Sequence, residues 1–436
     1  MGKSMIIYVV GVSAIVGYAL LTMGRTSASS MDTYAEYYSR TMAHNLAIAG
    51  ANIGTQRCLN DTSYNTNTLN TAFAGGSFDV YVIKSGDTTR IRSISHLPIH
   101  FYSFRQSRWI NEARDTVEAV IKIVSFSKYS WFTDQEKNGY VGSPFRGGDD
   151  WKITGDSVWG LAHTNGRFNL GGRPYFHDKV TATNSPQLMT VGGVRAPIYN
   201  GGYQWGVTVP RSAANLTNLL TTASGSGGLL NNTGNDVALT FINDGRVAVK
   251  IPPTTGSIRN DTANITSLAP SGVVAVSGGD IRIKGTYRGR ITVVALKGSN
   301  ANKGNVWLDG NGIAAFDNPR SNSASTDMMG IVAERNAFIT RDNSRSEQSV
   351  FNIQAAVYCH EGELTAQDFW NIGKHGRVSL FGGVTQKTAG SLGTFGGSGK
   401  LTGMDYSIRH DPRFLTAAPP GYPKATKYEL VSWYEK

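Results

Sequence analysis

The sequence predicts an α+β fold that is mostly β. A long N-terminal α-helix is followed by a small antiparallel sheet. A C-terminal domain of short stacked strands, β-helix or solenoid-like with an inserted excursion, completes it, with a β-sandwich as the runner-up. Three observations predict this. Residues 5–24 carry no charge, and a helical periodicity continues directly out of them. Alternating β-rich runs around a Gly turn follow. From Trp151 short strands are separated by Gly and Asn, and from Val273 apolar runs of three to seven residues are each followed by Gly, Asn or Asp.

Composition agrees. Among 436 residues there are 51 glycines, and charged residues make up only 17%. That is neither a coiled coil nor a disordered polyelectrolyte, but it suits a turn-rich, exported β protein. The formal charge of +11 is spread along the chain without a Lys/Arg block, which reads as a solvated basic surface. No nucleic-acid partner is expected from it.

The N-terminal rod comes first. MIIYVVGVSAIVGYALLTMG (5–24) lies between Lys3 and Arg25. As a helix it is ~30 Å long, enough to span a hydrocarbon core. It exceeds a secretory h-region, and no small-residue cleavage site follows, so a retained anchor is expected, with the N-terminus inside and the β-rich body outside. Met31, Ala35, Tyr38, Met42, Leu46, Ala49 and Ile53 continue at helical spacing. Asp32, Glu36, Arg40 and His44 mark the opposite face. Residues 1–57 therefore read as one helix, apolar over 5–24 and amphipathic over 25–57. Met5, Ile7, Val10 and Leu21 supply apolar surface, and Gly11, Ala14 and Gly17 allow close approach of neighbouring helices.

Residues 58–135 read as the sheet that covers this helix. After a polar loop come FDVYVIK (78–84), the turn Ser85-Gly86-Asp87, and RIRSIS (90–95), which make a hairpin. TVEAVIKIVSFS (116–127) is a further strand. The intervening patch with His96, His100, Phe101, Tyr102, Arg105, Arg108 and Trp109 reads as packing on the sheet, arginines at the rim. Residues 136–436 form the solenoid-like domain. Regular runs stop over an excursion at about 185–270, which holds the hairpin 236–251, and resume at Val273.

The apolar-then-amphipathic helix, and TMAHNLAIAGAN (41–52) in particular, resembles type IV pilins, pseudopilins and pilus-associated minor pilins. The resemblance implies a membrane-anchored precursor whose apolar half becomes the helical core of an extracellular filament on the bacterial surface. It implies self-association, the inner membrane and the pilus assembly machinery as partners, and no cofactor. No acidic residue precedes Asp32, so subunit register cannot rest on the early glutamate that pilins carry. The body resembles an uncharacterised β-solenoid domain of bacterial surface proteins. That resemblance is carried by GLAHTNGRF (160–168), IRIKGTYRGRITVVA (281–295), DMMGIVAERNAFI (327–339), GGVTQKTAGSLGTF (382–395) and HDPRF…PPGYP…YELVSWYEK (410–436).

Chemistry-bearing residues are sparse. Cys58 and Cys359 allow one long-range disulfide or two buried thiols, and exclude an all-Cys zinc site. His163 reads as a brace for the turn at Asn165-Gly166. Asp149/Asp150 and Glu361/Glu363 are the acid pairs that a polysaccharide-active β-helix would use. Arg413, Pro419, Pro420 and Trp433 read as a C-terminal lock across the solenoid end, or a docking strap between subunits. No catalytic residue, metal site or cofactor site is expected. The expectation is a non-enzymatic filament subunit. The alternatives are an adhesin or minor pilin that binds a glycan or surface, and a membrane-tethered polysaccharide-active protein.

Overall fold

The computed structural model describes residues 2–103, 108–211, 216–231 and 233–435; Arg105 of the aromatic patch lies outside them. The chain forms two compact units, one of residues 1–124 with 426–436, the other of residues 125–425.

In the first unit, helix α1 runs unbroken from Gly2 to Asn60. Strands β1 (Thr68–Phe73), β2 (Gly76–Ser85), β3 (Thr88–Ser103), β4 (Arg108–Ala113) and β5 (Thr116–Ser125) follow. The sheet order is β1-β2-β3-β5 and then the strand Lys424–Glu435, with β4 pairing β3. Alternation places Phe78, Val80, Val82, Ile91, Val117, Ala119 and Ile121 on the buried face.

The helix meets this face with Ala43, Leu46, Ala47, Gly50, Ala51, Gly54 and Cys58, all buried. This corrects the sequence expectation. Met31, Tyr38 and Ile53 of the apolar stripe are exposed, while Asp32, assigned to the polar face, is buried. The reason is steric. A Cβ on Gly54 would lie 2.7 Å from both Val80 and Ile91, and one on Gly50 would lie 2.8 Å from the Phe78 ring. A helix that approaches so closely must present its small residues, whatever their hydrophobicity.

The second unit is a stack of parallel coils. One inward column runs Val274, Val293, Ile331, Val357, Val384, Trp131, Ala162, Val180 and Tyr203, each the parallel-ladder neighbour of the next. All but Tyr203 are buried. The coils are thus not stacked in chain order. The chain enters mid-stack at Trp131–Gln135 and builds outward to Tyr203–Trp205. It then crosses to the far end through helix α2 (Leu216–Gly225) and returns from Leu229–Asn231 to close against its own starting strand. The irregular span 185–270 contains the outermost coil, this crossing and an antiparallel pair, Val237–Phe241 with Arg246–Ile251. Two sequence boundaries differ from the structure. Trp131–Gln135 belongs to the stack, not to the small sheet, because it pairs with Lys374–Thr388. The strand 424–435 returns to the first unit's sheet.

Candidate functional site

The surface best placed for function is α1 itself. Among the described residues its uncharged stretch is bare: Met5, Ile7, Val10 and Leu21 are exposed, Met5 by 72%. Gly11, Ala14 and Gly17 are also exposed, with open space where a Cβ of either glycine would stand. Met31, Tyr34, Tyr37 and Tyr38 extend the exposed apolar surface, with the Tyr34 and Tyr38 rings stacked at 6.5 Å. Where the uncharged stretch ends, an apolar groove of about 750 Å³ opens between Gly24, Ala28, Met31, Ala35, Phe101 and Tyr102. Ile and Val side chains left in water forgo about 1.5–3 kcal/mol each relative to burial, so this much bare surface requires an apolar surrounding.

Lower on the rod, polar contacts fix the helix. His44 Nδ1 lies 2.7 Å from Asp115 and its Nε2 lies 3.3 Å from Glu435. The sequence places His44 on the polar face of the rod, and the return of the last strand gives it a second carboxylate.

The acid pairs divide. Asp149 and Glu361 are exposed, and Glu361 pairs with Lys297 at 2.5 Å. Asp150 and Glu363 are buried in a polar network built around Lys152. The Lys152 ammonium lies 2.6 Å from Asp150 and 3.9 Å from Glu136. It also sits 3.9 Å from the centroid of the Trp131 ring. Burial opposes its charge, but Asp150 and Glu136 more than offset this and hold its pKa up. Burial raises Asp156 to about 7 and Glu363 to about 8. Glu363 nonetheless accepts hydrogen bonds from Gly139 N at 2.5 Å, Tyr140 N at 3.1 Å and Thr388 Oγ1 at 2.8 Å. These contacts tie loops to coils, and the two carboxyls of neither proposed pair face one another across a cleft. Among the described residues, no group of three or more His, Cys, Asp or Glu is placed to hold a metal ion.

His163 is buried and braces the turn, with Nδ1 2.7 Å from Thr181 Oγ1 and Nε2 3.0 Å from Asn165 Oδ1. Cys58 and Cys359 are both free thiols. Each is enclosed in a different core: Cys58 with Phe78 and Ile121, Cys359 in the coil stack beside Ala333 and Gln386. The expected lock is a strap that crosses the outer face of the coils rather than their end. Arg413 donates to the carbonyls of Ser325 at 2.6 Å and Asp327 at 2.9 Å while paired with Asp411. The carbonyl of Pro420 accepts from Thr292. Only a glycine fits beneath: a Cβ on Gly330 would lie 2.9 Å from Tyr422 and 3.1 Å from Pro419. Trp433 is not part of this strap; it packs in the first unit beside Val117.

No protein-family model matches the chain, and no curated protein sequence matches it. Among solved structures, the competence-associated pilin ComZ from Thermus thermophilus is similar over 90% of this chain and 97% of its own, with 11% sequence identity and a TM-score of 0.36.

Proposed function

We propose that this chain is a structural, non-enzymatic subunit of a type IV pilus-like filament on the bacterial surface. In this reading residues 5–24 hold the precursor in a membrane and then bundle with copies of themselves as the filament axis. The observation that supports it is the bare first half of α1, continuous with a second half that docks on its own sheet mainly through small residues, with Leu46 the one large side chain buried there. The bulky stripe of Met31, Tyr34 and Tyr38 is thereby left for other copies of the chain, and the groove beside Phe101 and Tyr102 would take a neighbouring helix. Hydrophobic burial at ~25 cal/mol per Å² would drive the bundling once lipid is left behind.

The test is Gly17→Arg, a charge in the axis. Electron microscopy of shed surface material should show filaments from the native chain and none from the variant, with equal amounts of the variant retained in membranes. Normal filaments from the variant would overturn the reading.

A further inference from the structure

The coil stack carries an arginine cluster that the filament reading does not use. The ladder of Lys374–Thr388 with Gly399–His410 and Ser157–Trp159 puts Phe381, Arg409 and Trp159 in one row across neighbouring coils. Arg377 lies on the same ladder and the same face, four residues before Phe381. Arg320 reaches in from the loop after Val306–Ala315, its guanidinium 5.1 Å from the Phe381 ring centroid and its Nη2 2.8 Å from Ser379 Oγ. The three guanidiniums repel one another: Arg320 is lowered by burial and by the charges of Arg409 and Arg377. Among the described residues none of the three is paired with a carboxylate. The nearest acid in register, Asp405 beside Arg377, is held by Lys400 at 3.0 Å. Asp178, after the Trp159–His177 stack, is held by the Gly160 amide at 2.6 Å.

Three guanidiniums without an ion-pair partner among the described residues, beside a row of coil hydroxyls (Ser157, Ser379 and Ser407), suit an anionic ligand with several charges. The ring faces are already used. Phe381 is buried under Arg320, and one face of Trp159 is covered by His177 at 3.9 Å. Phe381 and one face of Trp159 are thus closed to base stacking, whereas carboxylates and hydroxyls have donors. The ~4.8 Å step between coils also exceeds the ~3.4 Å step of stacked nucleotides.

We propose that Arg320, Arg377 and Arg409 form a binding strip for an acidic polysaccharide, a sugar chain bearing carboxylate or sulfate groups, running across the coils. The strip is independent of whether the chain polymerises.

The test measures binding of the full chain in detergent to alginate, a polyuronate, with neutral dextran and an oligodeoxythymidylate as comparison probes. The triple variant R320Q/R377Q/R409Q should lose about tenfold or more in alginate affinity per guanidinium contact removed. The double variant R377Q/R409Q, whose side chains are both exposed and whose fold is therefore safe, should lose affinity in the same direction. A control with the same charge removed elsewhere on this unit, R173Q/R195Q/R246Q, should keep most of it. Three results would each overturn the proposal: alginate binding that survives both variants, an equal loss in the control, or an oligonucleotide bound more tightly than alginate through the same arginines.

Discussion

Val384 is the in-register parallel neighbour of Trp131, so a strand from late in the chain closes directly onto the first coil strand. Trp131 in turn stacks on Ala162, and its ring also covers Lys152. The two arms of the coil stack are joined through this row, and most of the inward column depends on it.

Trp131→Ala should therefore cost the second unit about 3–5 kcal/mol, the range for removing a buried large aromatic. It also uncovers the Lys152 ammonium and leaves Glu136 without the indole donor at 3.0 Å. Urea unfolding followed by hydrogen exchange of residues 131–182 and 350–388 should show both segments destabilised together. Loss confined to one segment would mean that the arms are not coupled there.

Gly54→Leu tests the close approach of α1 to its sheet. In an exposed helix this change would help by up to ~1 kcal/mol, since Gly is a poor helix former. Here the side chain would enter the space of Val80 and Ile91, and overpacking of ~1–3 kcal/mol exceeds the propensity gain. Limited proteolysis should cut residues 61–75 faster in the variant, with the 131–205 coils unaffected.

The pH dependence of the second unit follows from Glu363 and Asp156. Burial raises Glu363 to about 8 and Asp156 to about 7, each above its unfolded value. The folded state then binds more protons than the unfolded one between about pH 4 and 8, so these groups' contribution is fully present below that window and is lost as pH rises through it. Thermal unfolding midpoints should fall from pH 5 to pH 8, with a shallower fall in Glu363→Gln. An equal slope in that variant would remove Glu363 from the account.

Much was legible in the chain, and the illegible parts share a cause. The rod, the first hairpin and the strand runs from Val273 could be read because each is a local pattern: an uncharged stretch, period-two alternation, a Gly turn. The packing face of the rod is not the one hydrophobicity names: Met31 and Tyr38 are exposed, whereas the closest approach to the sheet, at Gly50 and Gly54, admits no side chain. The arginine strip left no trace in the sequence, since Arg320, Arg377 and Arg409 belong to three separate segments that only coil stacking brings side by side. Asp150 and Glu363 were singled out as members of separate sequence pairs. Their common burial around one polar network depends on loops meeting across the stack.

The sequence by itself determined the elements: an apolar helix long enough for a bilayer, and strands too short and too apolar to stand alone. These follow from hydrophobic period and turn chemistry, which act over a few residues. Tertiary structure alone decided the order of the coils, the return of the last strand to the first sheet, and which charges lie together. Parallel neighbours in a coil stack are chosen by side-chain fit between segments far apart in the chain, and no local pattern records that choice.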